Sequence, residues 1–145
     1  MGGRGETLKT TLYVVGKVKP PFADADAHYR KLLGRYQEVE AVEVADDASL
    51  LKRLPGEGTL VALDRRGREM DSMDWSMWLQ ERRLEARDLG FLIGGPGGLP
   101  AEALEAATES ISLGPQTMAH QLARVVLLEQ IFRAAKILAG EPYHL

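Results

Sequence analysis

Residues 89–100 read LGFLIGGPGGLP. Leu89 to Ile93 is nearly all apolar and too short for an ordinary helix, so it reads as a strand buried on both faces. The glycines around Pro96 end that strand. Pro100 then stands where a helix opens, a position that favours proline. A buried strand, a glycine loop and a helix start in direct succession form the carboxyl edge of a strand in a layered α/β domain, the edge at which such sheets bind ligands.

The alternation extends outward in both directions. Thr10 to Gly16 is a β-branched, apolar strand, and Pro20-Pro21 breaks the chain after it. Ala23 to Tyr36 is predicted helical, with Ala25, Tyr29, Leu32, Leu33 and Tyr36 on one side. Val39 to Ala45 is a second strand, and Asp46 to Leu54 a short helix stopped by Pro55-Gly56. Thr59 to Leu63 is a third strand, ending at Asp64 in a polar Arg65-Arg66-Gly67-Arg68 turn. Ser72 to Ala86 is a helix, and a further helix runs from Pro100 to about Thr108. Ser110 to Leu113 is a fifth strand, and His120 to Ala139 a long helix closed by Gly140. This order predicts one domain over residues 1–145, a mostly parallel sheet flanked by helices, with residues 1–9 a loose leader. The last helix carries two apolar stripes. It is therefore expected to be covered on more than one side, either by the sheet and a second subunit or as a deeply buried helix of a monomer.

Composition narrows the chemistry. The chain has 145 residues and no cysteine, which excludes disulfides, thiolate ligands and a cysteine nucleophile. His28, His120 and His144 have no metal-ligand spacing, and there is no Gly-x-Ser-x-Gly elbow, so zinc hydrolysis and acyl transfer are set aside and no metal is expected. No secretory signal or apolar run of membrane length is seen, and the protein is read as cytoplasmic, with no membrane partner. The net charge of −3 argues against a protein that grips naked nucleic acid by charge alone. Local basic clusters remain, at Arg30/Lys31/Arg35, Arg65/Arg66/Arg68 and Arg82/Arg83/Arg87, each read equally well as solvated surface.

Three polar stretches, 64–71, 94–98 and 113–119, fall at the predicted ligand edge. The loop Gly94-Gly95-Pro96-Gly97-Gly98 lacks both the Gly-Lys-Ser/Thr of a phosphate loop and the dinucleotide glycine spacing. Its ordinary reading is a tight turn; its functional reading is bare amides open to a ligand. Leu113-Gly114-Pro115-Gln116-Thr117-Met118 is either a plain connector or a stiff loop that offers backbone groups and apolar contacts to a planar ligand. His120 and Arg124 share a helix face, as do Glu129 and Arg133, the second pair reading as surface support. The tail Pro142-Tyr143-His144-Leu145 reads on its own as a frayed end. From the residues alone, then, the chain is a small α/β domain with a glycine-loop ligand site and an open reaction.

Four segments resemble one family in order and spacing: FLIGGPGGL (91–99), SISLGPQTM (110–118), HQLARVVLLEQIFRA (120–134) and GEPYH (140–144). YVVGKVK (13–19) and the strand end Ala62-Leu63-Asp64 also fit. This is the large-subunit ribosomal RNA pseudouridine N3-methyltransferase H family of the SPOUT superfamily. The resemblance implies a SPOUT fold with a C-terminal trefoil knot, a homodimer, and S-adenosylmethionine bound at the knotted loops. Carried over by motif, it assigns the cofactor to Leu63, Gly94, Leu113, Gly114, Pro115, Gln116, Thr117 and Met118. Tyr143 and His144 become the catalytic candidates, reaching the site in a partner subunit, with His120, Arg124 and Arg133 for RNA contact or positioning. The substrate implied is N3 of a pseudouridine in large-subunit ribosomal RNA, on the assembled ribosome given the acidic charge. Two positions depart from the family pattern: Ala119 replaces a Pro before the helix-opening His, and Gly114-Pro115-Gln116 replaces a Ser-rich stretch. The rival readings are a non-catalytic ribosome-binding protein of the same fold, an enzyme with a phosphate ligand at the glycine loop, and a SPOUT enzyme acting on another RNA such as transfer RNA.

Overall fold

The structure is a computed structural model and describes residues 9–142. Ten elements alternate along the chain: β1 (Lys9–Val15), α1 (Phe22–Leu33), β2 (Glu38–Val44), α2 (Asp47–Lys52), β3 (Thr59–Glu69), α3 (Ser72–Glu85), β4 (Leu89–Ile93), α4 (Ala101–Ala106), β5 (Glu109–Ser112) and α5 (His120–Leu138). The loose leader expected over residues 1–9 lies outside the described residues except for Lys9, which opens β1. The strands form one parallel sheet in the order β2-β1-β4-β3-β5. β4 is central, and all five of its residues are buried, as its unbroken apolar run demands.

Helices cover both faces. On one, α5 lies between α1 and α3 over a core that includes Leu12, Phe91, Ile111, Leu128 and Ile131. On the other, the smaller α2 and α4 cover Val15, Leu60 and Leu92. Trp75 and Trp78 of α3 are 2% exposed and stack edge to face, with Trp78 tilted onto Phe91. Asp71 caps α3 through a capping box with Asp74. Much of the apolar surface of α5 is used within the protomer, where Phe132 meets Tyr29 and Tyr36. Leu122, at 39% exposure, is the large apolar side chain that α5 leaves uncovered.

One expectation fails in an informative way. The Arg65-Arg66-Gly67-Arg68 segment is not a turn. β3 continues through it to Glu69, and after an irregularity beyond Leu63 it pairs Arg68 with Ile111 and Glu69 with Ser112. Gly67 makes this possible. A Cβ there would lie 2.6 Å from the Ser110 carbonyl carbon, so only glycine lets the two backbones approach so closely. Gly in a polar run signals a turn, but here it marks a bulge that lifts β3 beyond the sheet edge.

Candidate functional site

The segments that leave the carboxyl ends of β3, β4 and β5 enclose a cleft of about 570 Å³, within the range usual for small-molecule sites. β3 contributes Leu63, Asp64, Arg65 and Arg66; the β4 loop contributes Gly94 to Leu99; the β5 loop contributes Leu113, Gly114, Gln116, Thr117 and Met118. α5 supplies His120 and Ala123. Seven of the eight residues expected at the cofactor thus line one cleft, and Pro115 alone points elsewhere. The three loops are far apart in sequence and meet because parallel strands all end at the same edge.

Each loop has a local cause. Gly98 N–H donates to the Gly95 carbonyl at 2.9 Å and closes the β4 loop into a turn. Gly94 is glycine for the sake of that turn rather than for ligand approach: a Cβ on it would sit 2.5 Å from the Gly98 carbonyl carbon. In the β5 loop the buried Ser112 hydroxyl accepts from Gly114 N–H and donates to the Gly114 carbonyl, both at 3.0 Å. That pair holds the first residues of the loop against the strand end. Arg65 Nη1 reaches Thr117 Oγ1 at 3.4 Å across the rim, and Arg66 is held by Asp64 at 3.1 Å.

The chemistry on offer is mixed. Leu63, Leu99, Leu104, Leu113 and Met118 present apolar surface suited to a flat ring, while the loops supply backbone amides and carbonyls. Asp64 is the one carboxylate among the lining residues, and no side chain caps the start of α5. Among the described residues no cluster of three or more His, Asp or Glu has metal-site geometry. None of the described helices is long and apolar enough to cross a membrane.

The remaining site candidates separate. His120 faces the cleft, near enough to Gly16 that a Cβ there would lie 3.4 Å from Nε2. Arg124, expected beside His120 for RNA contact, is instead 1% exposed. Its Nε donates to Asp26 at 2.8 Å and its Nη1 to Glu43 at 2.8 Å, while Asp26, itself fully buried, also pairs with Arg30 at 3.0 Å. A guanidinium enclosed in this way is not open to an outside phosphate. One turn from His120, Arg124 ties α5 to α1 and β2. Glu43 also accepts from Val18 N–H at 3.1 Å. Burial raises the Glu43 pKa, but the hydrogen bonds from Val18 and Arg124 outweigh it and leave the carboxyl below its ordinary value. Arg133 pairs with Glu129 as read from the spacing, about 20 Å along α5 from His120. Tyr143 and His144 lie outside the described residues.

Sequence reasoning put residues 64–71 at the ligand edge as a loop but gave Asp64, Arg65 and Arg66 no part in the site; they line the cleft from within β3. It also missed the anchor of the tail. Tyr36 donates its hydroxyl to Glu141, which further pairs with Arg35 at 3.4 Å and Lys136 at 3.7 Å. The hydrogen bond to Glu141 raises the Tyr36 pKa, and the same bond lowers that of Glu141. Only the acidic residue between Gly140 and Pro142, opposite basic neighbours, hinted at this clamp.

Comparisons with known proteins agree with this architecture. The family described as "Predicted SPOUT methyltransferase" matches residues 8–144. The ribosomal RNA large subunit methyltransferase H of Gemmatimonas aurantiaca is 35% identical over 153 residues, covering 94% of this chain and 99% of the relative. That of Maridesulfovibrio salexigens is 41% identical over 147 residues, covering 90% and 94%. Among solved structures, the SpoU methyltransferase AviRb from Streptomyces viridochromogenes, in complex with AdoMet, superposes with a TM-score of 0.55 at 14% identity, over 94% of this chain and 60% of that one. A putative methylase family protein from Neisseria gonorrhoeae gives 0.58 at 12% identity, over 99% and 88%. At such low identity the structures speak for the fold.

Proposed function

Because the chain belongs to the SPOUT methyltransferases, and within them to the ribosomal RNA large subunit methyltransferase H family, we propose that it moves a methyl group from S-adenosylmethionine to N3 of a pseudouridine in large-subunit ribosomal RNA, in the cytoplasm and on the assembled particle. The observation that carries this reading is the single cleft made by three loops at the carboxyl edge of the sheet. Its residues suit the donor. The apolar side chains would hold the adenine ring and the backbone groups of 113–118 its polar edge. The knot expected of the fold would be tied by the same three loops.

The donor, when bound, supplies an electrophilic methyl on a positively charged sulfur. The protein then has to place the acceptor nitrogen in line and remove its proton. His120, at the cleft wall, positions the acceptor. Tyr143 and His144 are the groups for the proton. The reach of the tail supports their acting on a second copy of the chain. Glu141 is clamped at the far end of α5, and from Ala123, the cleft residue farthest along that helix, to Leu138 is about 22 Å of rise. The four residues after Glu141 extend at most about 14 Å. These lengths favour a tail that works in a neighbour's cleft, within a homodimer.

The test is nucleoside mapping. Ribosomes from cells lacking the chain are incubated with the protein and S-adenosylmethionine, and the ribosomal RNA is digested for mass spectrometry. 3-Methylpseudouridine at one large-subunit position is the expected product. A methyl group on transfer RNA instead, or none on any RNA, overturns the reading.

A further inference from the structure

Arg65 lines the cleft, and three further exposed cations stand on the two chain segments beside it. Lys17 and Lys19 belong to the segment after β1, which is pinned to the start of α5. Val18 N–H donates to Glu43 at 3.1 Å and Lys19 N–H to Gln121 at 2.7 Å. Arg65 and Arg68 belong to the outer part of β3, lifted past the sheet by the bulge at Gly67. Only β4 separates β1 from β3, so the supports stand about 10 Å apart, two strand spacings, with the glycine loop between them.

Their charges are unmet. All four are exposed. Lys17, Lys19 and Arg68 have no acidic partner among the described residues, and Arg65 has only the Thr117 hydroxyl at 3.4 Å. Some exposed cations elsewhere are tied down, Lys9 by Glu40 and Arg35 by Glu141, while Lys31, Lys52 and Arg53 make no ion pair among the described residues; what sets these four apart is their place on the two segments beside one cleft. In a protein of net charge −3, carboxylates are plentiful enough to neutralise this edge too. Two neighbouring acids are engaged elsewhere, Glu43 with Arg124 and Asp64 with Arg66, and Glu69, next to Arg68 on β3, makes no ion pair with it. Exposed cations on fixed backbone segments beside a cleft, without ion-pair partners, suit a chain of phosphodiesters that passes over the cleft.

The geometry points to Lys17, Lys19, Arg65 and Arg68 as a phosphate clamp that holds the substrate RNA backbone across the cleft, replacing Arg124 and Arg133 in that role. This rests on the RNA methyltransferase reading above. The clamp is electrostatic and carries no sequence information. It positions the strand, and the nucleotide is chosen elsewhere.

The test reads binding without methyl transfer. The full chain is titrated against purified ribosomal particles at several salt concentrations, for wild type, Lys17→Ala/Lys19→Ala and Arg65→Ala/Arg68→Ala. Each lost contact should lower the slope of log affinity against log salt by about 0.7–0.9 and weaken binding about fivefold at 0.15 M salt, so about 25-fold for each double variant. Calorimetry with S-adenosylmethionine should give unchanged affinity for Lys17→Ala/Lys19→Ala, whose residues lie outside the cleft lining. Lys52→Ala/Arg53→Ala, at the opposite edge of the sheet, should leave both readings alone. The clamp is overturned by unchanged salt slopes in the two cleft variants, by an equal loss in the control, or by a fall in donor affinity that leaves particle binding intact. A particle that is bound with the expected slope but never methylated overturns the proposed activity and leaves the clamp standing.

Discussion

Replacing Arg124 by Met removes the cation of the buried Arg124–Asp26 pair, whose outer partners Glu43 and Arg30 are partly exposed, while roughly keeping its volume. Asp26 then stays buried at 0% exposure with Arg30 as its remaining partner, and Glu43 keeps Val18 N–H alone. Removing one member of a buried pair costs about 3–5 kcal/mol, because the charge left behind is desolvated without compensation. Arg30 limits the loss to the lower end of that range. Whole domains are stable by about 5–15 kcal/mol, so the variant should still fold, with a visibly earlier transition. Urea unfolding at fixed protein concentration, followed through the buried Trp75 and Trp78, should show a midpoint lower by about 1.5–2 M, given a slope near 2 kcal/mol per M. Adding Asp26→Asn should recover part of the loss, since the second change removes the stranded charge. The difference between wild type and variant also has a pH signature. The depressed Glu43 pKa gives stability that is complete above its ordinary value of 4.5 and disappears as pH falls through the lowered value. The gap between the two proteins should therefore be full at pH 7 and narrow below about pH 4. A loss under about 1 kcal/mol, or a double variant as unstable as the sum of the singles, would refute the view that this network locks α5 to α1 and β2.

Ala86 ends α3 in the left-handed region at φ 56°, where glycine is favoured. Ala86→Gly should raise stability by about 0.5–1 kcal/mol, read as a higher thermal midpoint; a fall would count against the strain. Gly94→Ala forces its Cβ against the Gly98 carbonyl carbon and should cost about 1–3 kcal/mol and reshape the cleft wall, seen as weaker S-adenosylmethionine binding in calorimetry. Unchanged affinity there would detach the glycine loop from the donor. Deleting residues 143–145 should abolish turnover with donor affinity intact. Mixing that truncated chain with full-length Gly94→Ala should restore part of the activity, because one intact cleft can meet one intact tail. No recovery on mixing speaks against a shared site.

How much of this was legible in the sequence depends on the range of the interaction that decides it. The apolar run of β4, the periodicity of α5 and the breaks at Pro55-Gly56 and Gly140 are short-range signals, and they placed these elements to within a residue or two. The cleft loops were legible for a related reason: in a parallel sheet every strand delivers its following loop to one edge, so the order of elements alone predicts which loops meet. Gly67 read as a turn because nothing local reveals that Ser110 lies against it. His120 and Arg124 looked equivalent at a spacing of four, yet one lines the cleft and the other is sealed against Asp26 and Glu43. That choice is made by partners 98 and 81 residues away. Periodicity records which face of an element is apolar, whereas the burial of a charge, the closeness of two backbones and the exposure of the cations at the cleft mouth exist only once distant segments have packed.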